Sequence, residues 1–377
     1  MPIDKDMPLT EQMKFDLEAE NFSPEEIELM EGDQQLDADG GATITFGAQM
    51  QAPQGHFANL AETMDDGDLA VIVDELLEAY EGDKEARSDW SSTYAEGLSL
   101  MGLKNEDRTE PFPGASGVSH PLLAESVTQF QAQSYKELFP AGGPVKTQIM
   151  GMTNPQVEAQ SKRVKEFMNY QLTHIMEEYE PELDQMLFHL PLSGSAFRKI
   201  YFDDKLGRPV SKFVSSEDLV VPYDSTDLIT CMRITHVIKM PANDVRKYQA
   251  SGFYTDIELG EVYDQENSEV QDRIDELDGA KRVYTKDNIH TILEMHVDLD
   301  LPGYEDANEA GESSGISLPY IVSIDENSSK ILSIRRNYAE QDALKIKKQY
   351  FVHYKFLPGI FLLIYFCFVC FFFIFHF

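Results

Sequence analysis

Apolar residues recur at helical spacing through the first half of the chain and at every second position through the second half, with the change near Ser195. Leu69, Ile72, Val73, Leu76, Leu77 and Tyr80 form one stripe of an α-helix, and Asp65, Asp66 and Asp68 before it suit the positive end of the helix dipole. A second helix is predicted over 83–101, with Ala86, Trp90, Tyr94, Leu98 and Met101 on one face and Gly102 as its stop. Ser119 can cap a third, with Pro121 in its first turn, running through Val127, Phe130 and Leu138 to Pro140. Asn154 and Pro155 open a fourth. Its Val157, Val164, Phe167, Met168, Leu172, Ile175 and Met176 make another apolar stripe, and Pro181 is expected to end it.

From Ser195 onward the period is two. Residues 196–202 and 209–214, joined by a turn over 203–207, predict a hairpin. Residues 232–240 predict a strand, followed by a short helix opened by Pro241, Ala242 and Asn243 and stopped by Gly252. The clearest alternation lies over 289–299. Ile289, Leu293, Met295, Val297 and Leu299 alternate with His290, Glu294, His296 and Asp298, which predicts one buried face and one wet face in an antiparallel sheet. A second hairpin follows over 319–324 and 330–336, and a last strand over 350–355. Helices first and a meandering antiparallel sheet second make the expected fold class α+β.

Charge refines this picture. The 377 residues carry 31 Lys and Arg against 66 Asp and Glu, a net charge of −35. Residues 1–86 hold 23 acids and 3 bases, and residues 255–312 hold 18 acids and 4 bases, so two acidic blocks flank or interrupt nearly neutral sequence. The expected organisation is an acidic, disordered arm over 1–66 and a helical part over 67–190. An antiparallel β-rich part over 191–359, with an acidic insertion at 255–312, comes next, and an apolar tail occupies 360–377. The arm reads as a solvated tail or as a docking arm that orders on a basic partner. The overall balance argues against gripping nucleic acid over a broad basic face. Of three cysteines, only Cys231 lies outside the tail, which suits a reducing compartment, and no export leader is expected at Met1.

Catalytic and metal constellations are absent from the expectations. In the stretch Ala141, Gly142, Gly143, Pro144, Val145, Lys146, Thr147, valine stands where a phosphate loop needs glycine and proline removes an amide donor. Gly114, Ala115, Ser116, Gly117, Val118 misplaces a glycine of the nucleophile elbow by one. His290, Glu294 and His296 share one strand face, but side chains along a straight strand are about 6.7 Å apart per two-residue step, too far to converge on one zinc ion. Asp203 and Asp204 suit a turn, His174 and His189 are ordinary helical histidines, and Trp90 with Tyr94 is a core pair. No catalytic residue, metal or cofactor is expected, and the chain is not expected to be an enzyme.

Longer words carry more information. The run Pro111-Phe112-Pro113-Gly114-Ala115-Ser116-Gly117-Val118-Ser119-His120-Pro121 leads into Phe130-Gln-Ala-Gln-Ser-Tyr135 and Glu137-Leu-Phe-Pro-Ala-Gly-Gly-Pro-Val-Lys-Thr147. Gly194-Ser-Ala-Phe-Arg-Lys-Ile-Tyr-Phe-Asp203, Glu217-Asp-Leu-Val-Val-Pro222-Tyr223, Thr235-His-Val-Ile-Lys-Met240 and Tyr350-Phe-Val-His-Tyr-Lys-Phe-Leu-Pro-Gly359 follow in order. Together they resemble the portal proteins of tailed bacteriophages, the short-tailed type in particular, over about 68–359. The resemblance implies a structural subunit of a ring at one capsid vertex, a dodecamer in full-length members. Double-stranded DNA would be packaged and ejected through that ring without tight binding, and terminase, capsid, head-completion and tail proteins would dock to it. It implies a virion location, with assembly in the host cytoplasm. Pro111, Phe112, Pro113, Gly114, His120, Pro121, Pro222 and Tyr223 are the candidate structural positions.

The tail departs from that family, whose members are longer. After Gly359 come sixteen unbroken apolar residues, and nine of the chain's 23 Phe fall between Phe356 and Phe377. T-rich codons give such residues in any frame, so aberrant translation replacing the second half of the protein is the favoured expectation. The alternative is an acidic interaction protein anchored in a membrane by its C-terminus. Sixteen residues fall just short of the roughly 17–25 that span a bilayer, and Lys345, Lys347, Lys348 and Lys355 would suit its cytoplasmic flank.

Overall fold

The computed structural model describes residues 35–36, 42–43, 55–101, 112, 121–203, 206–260, 262, 268–277, 289–306, 314–342 and 344–356. The apolar tail, Gly102, Ser119 and the loop at 113–120 lie outside them. The chain divides into Met1–Gln54 and Gly55–Phe377. In the first unit, β1 (Gln35–Leu36) pairs with β2 (Ala42–Thr43) in antiparallel fashion. The second unit has the α+β architecture that the two periods predict.

Helix α1 (Asp66–Ala86) is capped by Asp65, which accepts from the Gly67 amide at 3.3 Å, and its first turn carries Asp66 and Asp68. Ile72, Val73, Leu76 and Tyr80 are buried in the main core, with Leu69 and Leu77 packed at its margin. The helix runs further than its apolar stripe indicates, and the break before α2 (Ser88–Met101) falls at Arg87. The Arg87 guanidinium donates to the carbonyls of Ser216 (2.8 Å), Glu217 (2.5 Å) and Leu219 (3.2 Å), so a tertiary contact places the joint. Tyr94, Ala95 and Leu98 of α2 pack against Val270 of α7 (Glu269–Leu277), a short helix inside the acid-rich stretch 255–312.

Helix α3 (Leu122–Leu138) begins directly after Pro121. Helix α4 (Pro155–Tyr170) is capped by Asn154 and passes into a π turn over Gln171–Ile175. The expected stop at Pro181 is corrected. The helix ends earlier, and Pro181 sits in the first turn of α5 (Tyr179–Ser193), where a missing amide hydrogen costs nothing. Gly194, at φ 77, closes α5 in the left-handed region that favours glycine. Leu183, Met186, Leu187 and Leu190 of α5 pack with Ala196 beneath the first sheet.

The expected single meander is two sheets. In the first, β3 (Ser195–Asp203) lies between β4 (Arg208–Val214) and β10 (Phe351–Lys355). The β3–β4 hairpin is the predicted one, with Phe197 opposite Val214 and Asp203 opposite Arg208. Strand β10 comes from the far end of the body and sets Val352 against Arg198. The second sheet runs β5 (Leu219–Val220), β6 (Arg233–Pro241), β7 (Ile289–Leu299), β8 (Leu318–Asp325), β9 (Lys330–Arg336). The short helix α6 (Ala242–Ala250) follows β6 as expected, and Gly252 has φ 69.

Strand β7 is therefore the centre of the second sheet, and its wet face is corrected. Leu293, Met295 and Val297 face the core built on α1, but His290 and His296 are also buried and Glu294 is mostly so. Only Ile289 and Asp298, towards its two ends, are exposed.

Residues 55–64, counted with the acidic arm on charge, belong to the folded body. Leu60 and Ala61 join the main core. Asn59 is buried at the edge strand β9, where its Oδ1 accepts from the amides of Ile334 (2.9 Å) and Ala61 (3.2 Å). Its Nδ2 donates to the Leu332 carbonyl (3.2 Å) and the Thr255 hydroxyl (2.9 Å). An edge strand otherwise offers unpaired groups to other chains, and this side chain, with the Thr255 amide on the Leu332 carbonyl, covers part of it. Replacing Asn59→Ala strands the buried Ile334 amide, while the Leu332 carbonyl keeps the Thr255 amide (2.8 Å) and hydroxyl (3.0 Å). We expect a loss of about 1–3 kcal/mol in urea unfolding, with faster amide exchange at Ile334.

Candidate functional site

Of the eight sequence-marked positions, four are among the described residues. Pro111, Pro113, Gly114 and His120 lie outside the described residues, and Phe112 is exposed. Pro121 is exposed at the start of α3, Pro222 is half-buried and Tyr223 is exposed. The segment holding Pro222 is anchored upstream by Arg87. There burial raises the carboxyl pKa values of Glu217 and Asp218, and Asp218 accepts from the Ser215 hydroxyl at 2.8 Å.

The residues set aside as chemically inert take ordinary places. Asp203 accepts from the Leu206 amide at 3.2 Å in the hairpin turn, while Asp204 is outside the described residues. Trp90 and Tyr94 stack with centroids 5.3 Å apart, and the Trp90 indole donates to the Ser193 carbonyl. His189 accepts or donates at 3.1 Å with the Tyr94 hydroxyl and stacks on Phe213. His174 lies exposed on the π turn. Gly143 has φ 92, and a Cβ there would meet the Asn169 amide oxygen at 2.5 Å. That amide straps the 143–147 loop to α4 by bonding Val145 at both its N–H (2.9 Å) and C=O (3.2 Å), so Gly143 serves close packing.

Two features stand out instead. The first is a polar cluster between the sheets. Lys199 of β3 reaches both oxygens of Glu294 on β7, at 2.6 and 2.7 Å, and the His296 ring nitrogen lies 2.9 Å from Glu294 Oε1. Phe351 stands edge-on to both His296 and His236, and Tyr350 also meets His296. Burial opposes ionisation of Glu294, but the charge of Lys199 and the bond from His296 outweigh it and hold the carboxyl well below its usual range. Burial, helped by Lys199, pushes His236 down to about 3, so its ring is neutral. Burial lowers His296 as well. Both carboxylate oxygens are occupied by these partners, and the cluster acts as a clamp between β3 and β7. His290 points elsewhere and pairs with Asp325 at 3.1 Å. Among the described residues no three His, Cys, Asp or Glu gather as metal ligands.

The second feature is α4. The apolar stripe read along this helix is uncovered over α4 itself, where no residue is buried, while Met176 beyond the π turn is buried. Val164 is 50%, Phe167 62%, Met168 42% and Tyr170 54% exposed, and beside them Met150 and Met152 stand at 92% and 95%. Lys162, Arg163 and Lys165 flank these apolar positions. The sequence signal that could have marked this surface was that run of cations around Val164. For the clamp there was none, because Lys199 and Glu294 are 95 residues apart.

No family model matches the chain, and no curated protein matches it. Among the described residues no helix is long and apolar enough to cross a membrane.

The clamp has a pH signature. A depressed carboxyl pKa contributes stability above the unfolded value of about 4.3, lost as pH falls through the folded value. In Lys199→Met, Glu294 loses the charge that most opposes its burial and keeps only the His296 bond, so its pKa rises. We expect a loss of about 3–5 kcal/mol at pH 7, partly recovered at pH 5, and near-restoration in Lys199→Met/Glu294→Leu, read by urea unfolding. His236 acts at higher pH: its stabilising effect is complete above about 6.5 and declines as pH falls towards the folded value. Between pH 6 and 4 the protein should lose up to about 1.4 kcal/mol per pH unit more than His236→Phe does.

Proposed function

We propose that this chain is a structural subunit of a ring, of the phage portal type, that acts through shape and copy number rather than through bond-making side chains. Double-stranded DNA would pass through the ring during packaging and ejection, and terminase, capsid and tail proteins would dock on its outer surfaces, in the virion and during assembly in the host cytoplasm. The resemblance of the long sequence words to those of portal proteins points to the family. The observation that carries the reading to this molecule is α4, sixteen residues of helix with none buried. Isolated helices of that length are marginal in water, and an apolar face on one is stabilised by packing against a partner.

Charge supports the same reading. A channel that moves a duplex must not hold it, because each phosphate neutralised adds a salt-dependent sticking term. A subunit at −35 supplies few such traps.

Negative-stain imaging and sedimentation velocity of the purified chain test this. Closed rings with a central hole and a mass of many subunits are expected. A single monomeric species up to about 100 μM, in both low and moderate salt, would overturn it.

A further inference from the structure

The ring reading leaves open which surfaces of neighbouring subunits meet, and the inference here rests on that reading. The search begins with α4, because it presents cations and apolar groups together on a chain that is otherwise strongly acidic. Residues 146–170 hold Lys146, Lys162, Arg163 and Lys165 against Glu158 and Glu166, four bases to two acids, in a protein of net charge −35. Arg163, Phe167 and Tyr170 follow one another at i, i+4 and i+7, so cation and aromatics share a face. The face towards the strap is different: Ser161 and Asn169 meet Thr147 and Val145 there. The one ion pair recorded for α4 among the described residues is internal, Lys162 with Glu166 at 3.8 Å, both side chains largely exposed.

The complementary surface is on α1. Its inner face is spent on the main core. Its outer face presents Asp74, Glu78, Glu81 and Glu85 at i, i+4, i+7 and i+11, with Glu75 alongside, all exposed. Val71, 67% exposed, heads the same stripe and offers an apolar foothold. Lys84 is the only base on this helix, and its ammonium lies 5.7 Å from the Tyr80 ring centroid. None of these five acids is in an ion pair among the described residues.

We propose that α4 of one subunit docks on the acidic outer face of α1 of a second copy of this chain. The contact is heterologous, joining two different surfaces, so each copy has one of each to offer and association propagates in one direction until it closes. Opposite charge on the two helices steers and orients encounter, while Val164, Phe167 and Met168 supply the area removed from water. Duplex DNA would match the lysines but leave those apolar groups exposed, and for that reason a protein surface is the better occupant.

The test uses the full chain and charge reversal at exposed positions that no core contact uses. Lys162→Glu/Arg163→Glu and, separately, Asp74→Lys/Glu78→Lys/Glu81→Lys should each weaken self-association at least 10-fold in sedimentation equilibrium, with unchanged far-UV circular dichroism. Mixing the two variants should restore assembly, because each then supplies the charge the other lacks, and 0.5 M salt should weaken the wild-type contact. Rings that persist unchanged in the α1 variant would overturn this pairing while leaving the ring itself standing. A wild-type chain that never associates would sink both. Retention of a monomeric wild type on a 30-base-pair duplex, lost on reversal in α4, would assign the helix to nucleic acid instead.

Discussion

The ion pair between Lys199 and Glu294 is the constraint on which the body depends. A carboxylate and an ammonium taken out of water must find each other with good geometry, or the cost of stripping their hydration is not recovered. Here the two come from different sheets, one on β3 and the other on β7. A one-residue slip of either strand would turn its charged side chain to the opposite face and leave the other ion buried alone. The pair consequently specifies register and the relative placement of the two sheets. Around it, His236, His296 and Phe351 fill the remaining space with neutral rings.

The rest of the body follows from that placement. With the polar face of β7 closed by β3 and β10, its apolar face is free to meet α1, and Tyr320, Val322, Ile324 and Ile334 complete that core from neighbouring strands. Asn59 then covers part of the far edge of the sheet, and Arg87 ties the α1–α2 joint to the loop before β5. Helix α4 stands apart from this scheme. It is held by its Asn154 cap and by the Asn169 strap, with no core of its own. The body is closed on itself, whereas α4 lies open to solvent.

Much of the fold was legible because local period reports local geometry. The stripe from Leu69 to Tyr80, the hairpin around Asp203 and Gly207, and the alternation over 289–299 all became the elements they indicated. Helix α7 was legible too, in Val270, Ile274 and Leu277 at i, i+4 and i+7, but the surrounding acids hid it. Pro181 misled because proline ends one helix and opens another with equal ease, and only the chain direction of α5 distinguishes the two. The clamp was not legible, and for α4 only the cations around Val164 offered a signal. A stripe such as Val164, Phe167 and Met168 is the same in sequence whether it faces a core or a partner.

What the amino-acid sequence determined alone was the order and type of the elements, together with the apolar side of each, since these depend on neighbours within a few positions. Tertiary structure decided what covers each side. It buried His290, Glu294 and His296 on a face whose composition suits water, and it left the apolar face of α4 open. The reason is distance along the chain: the group that neutralises Glu294 lies 95 residues away, and no local period can encode whether it arrives.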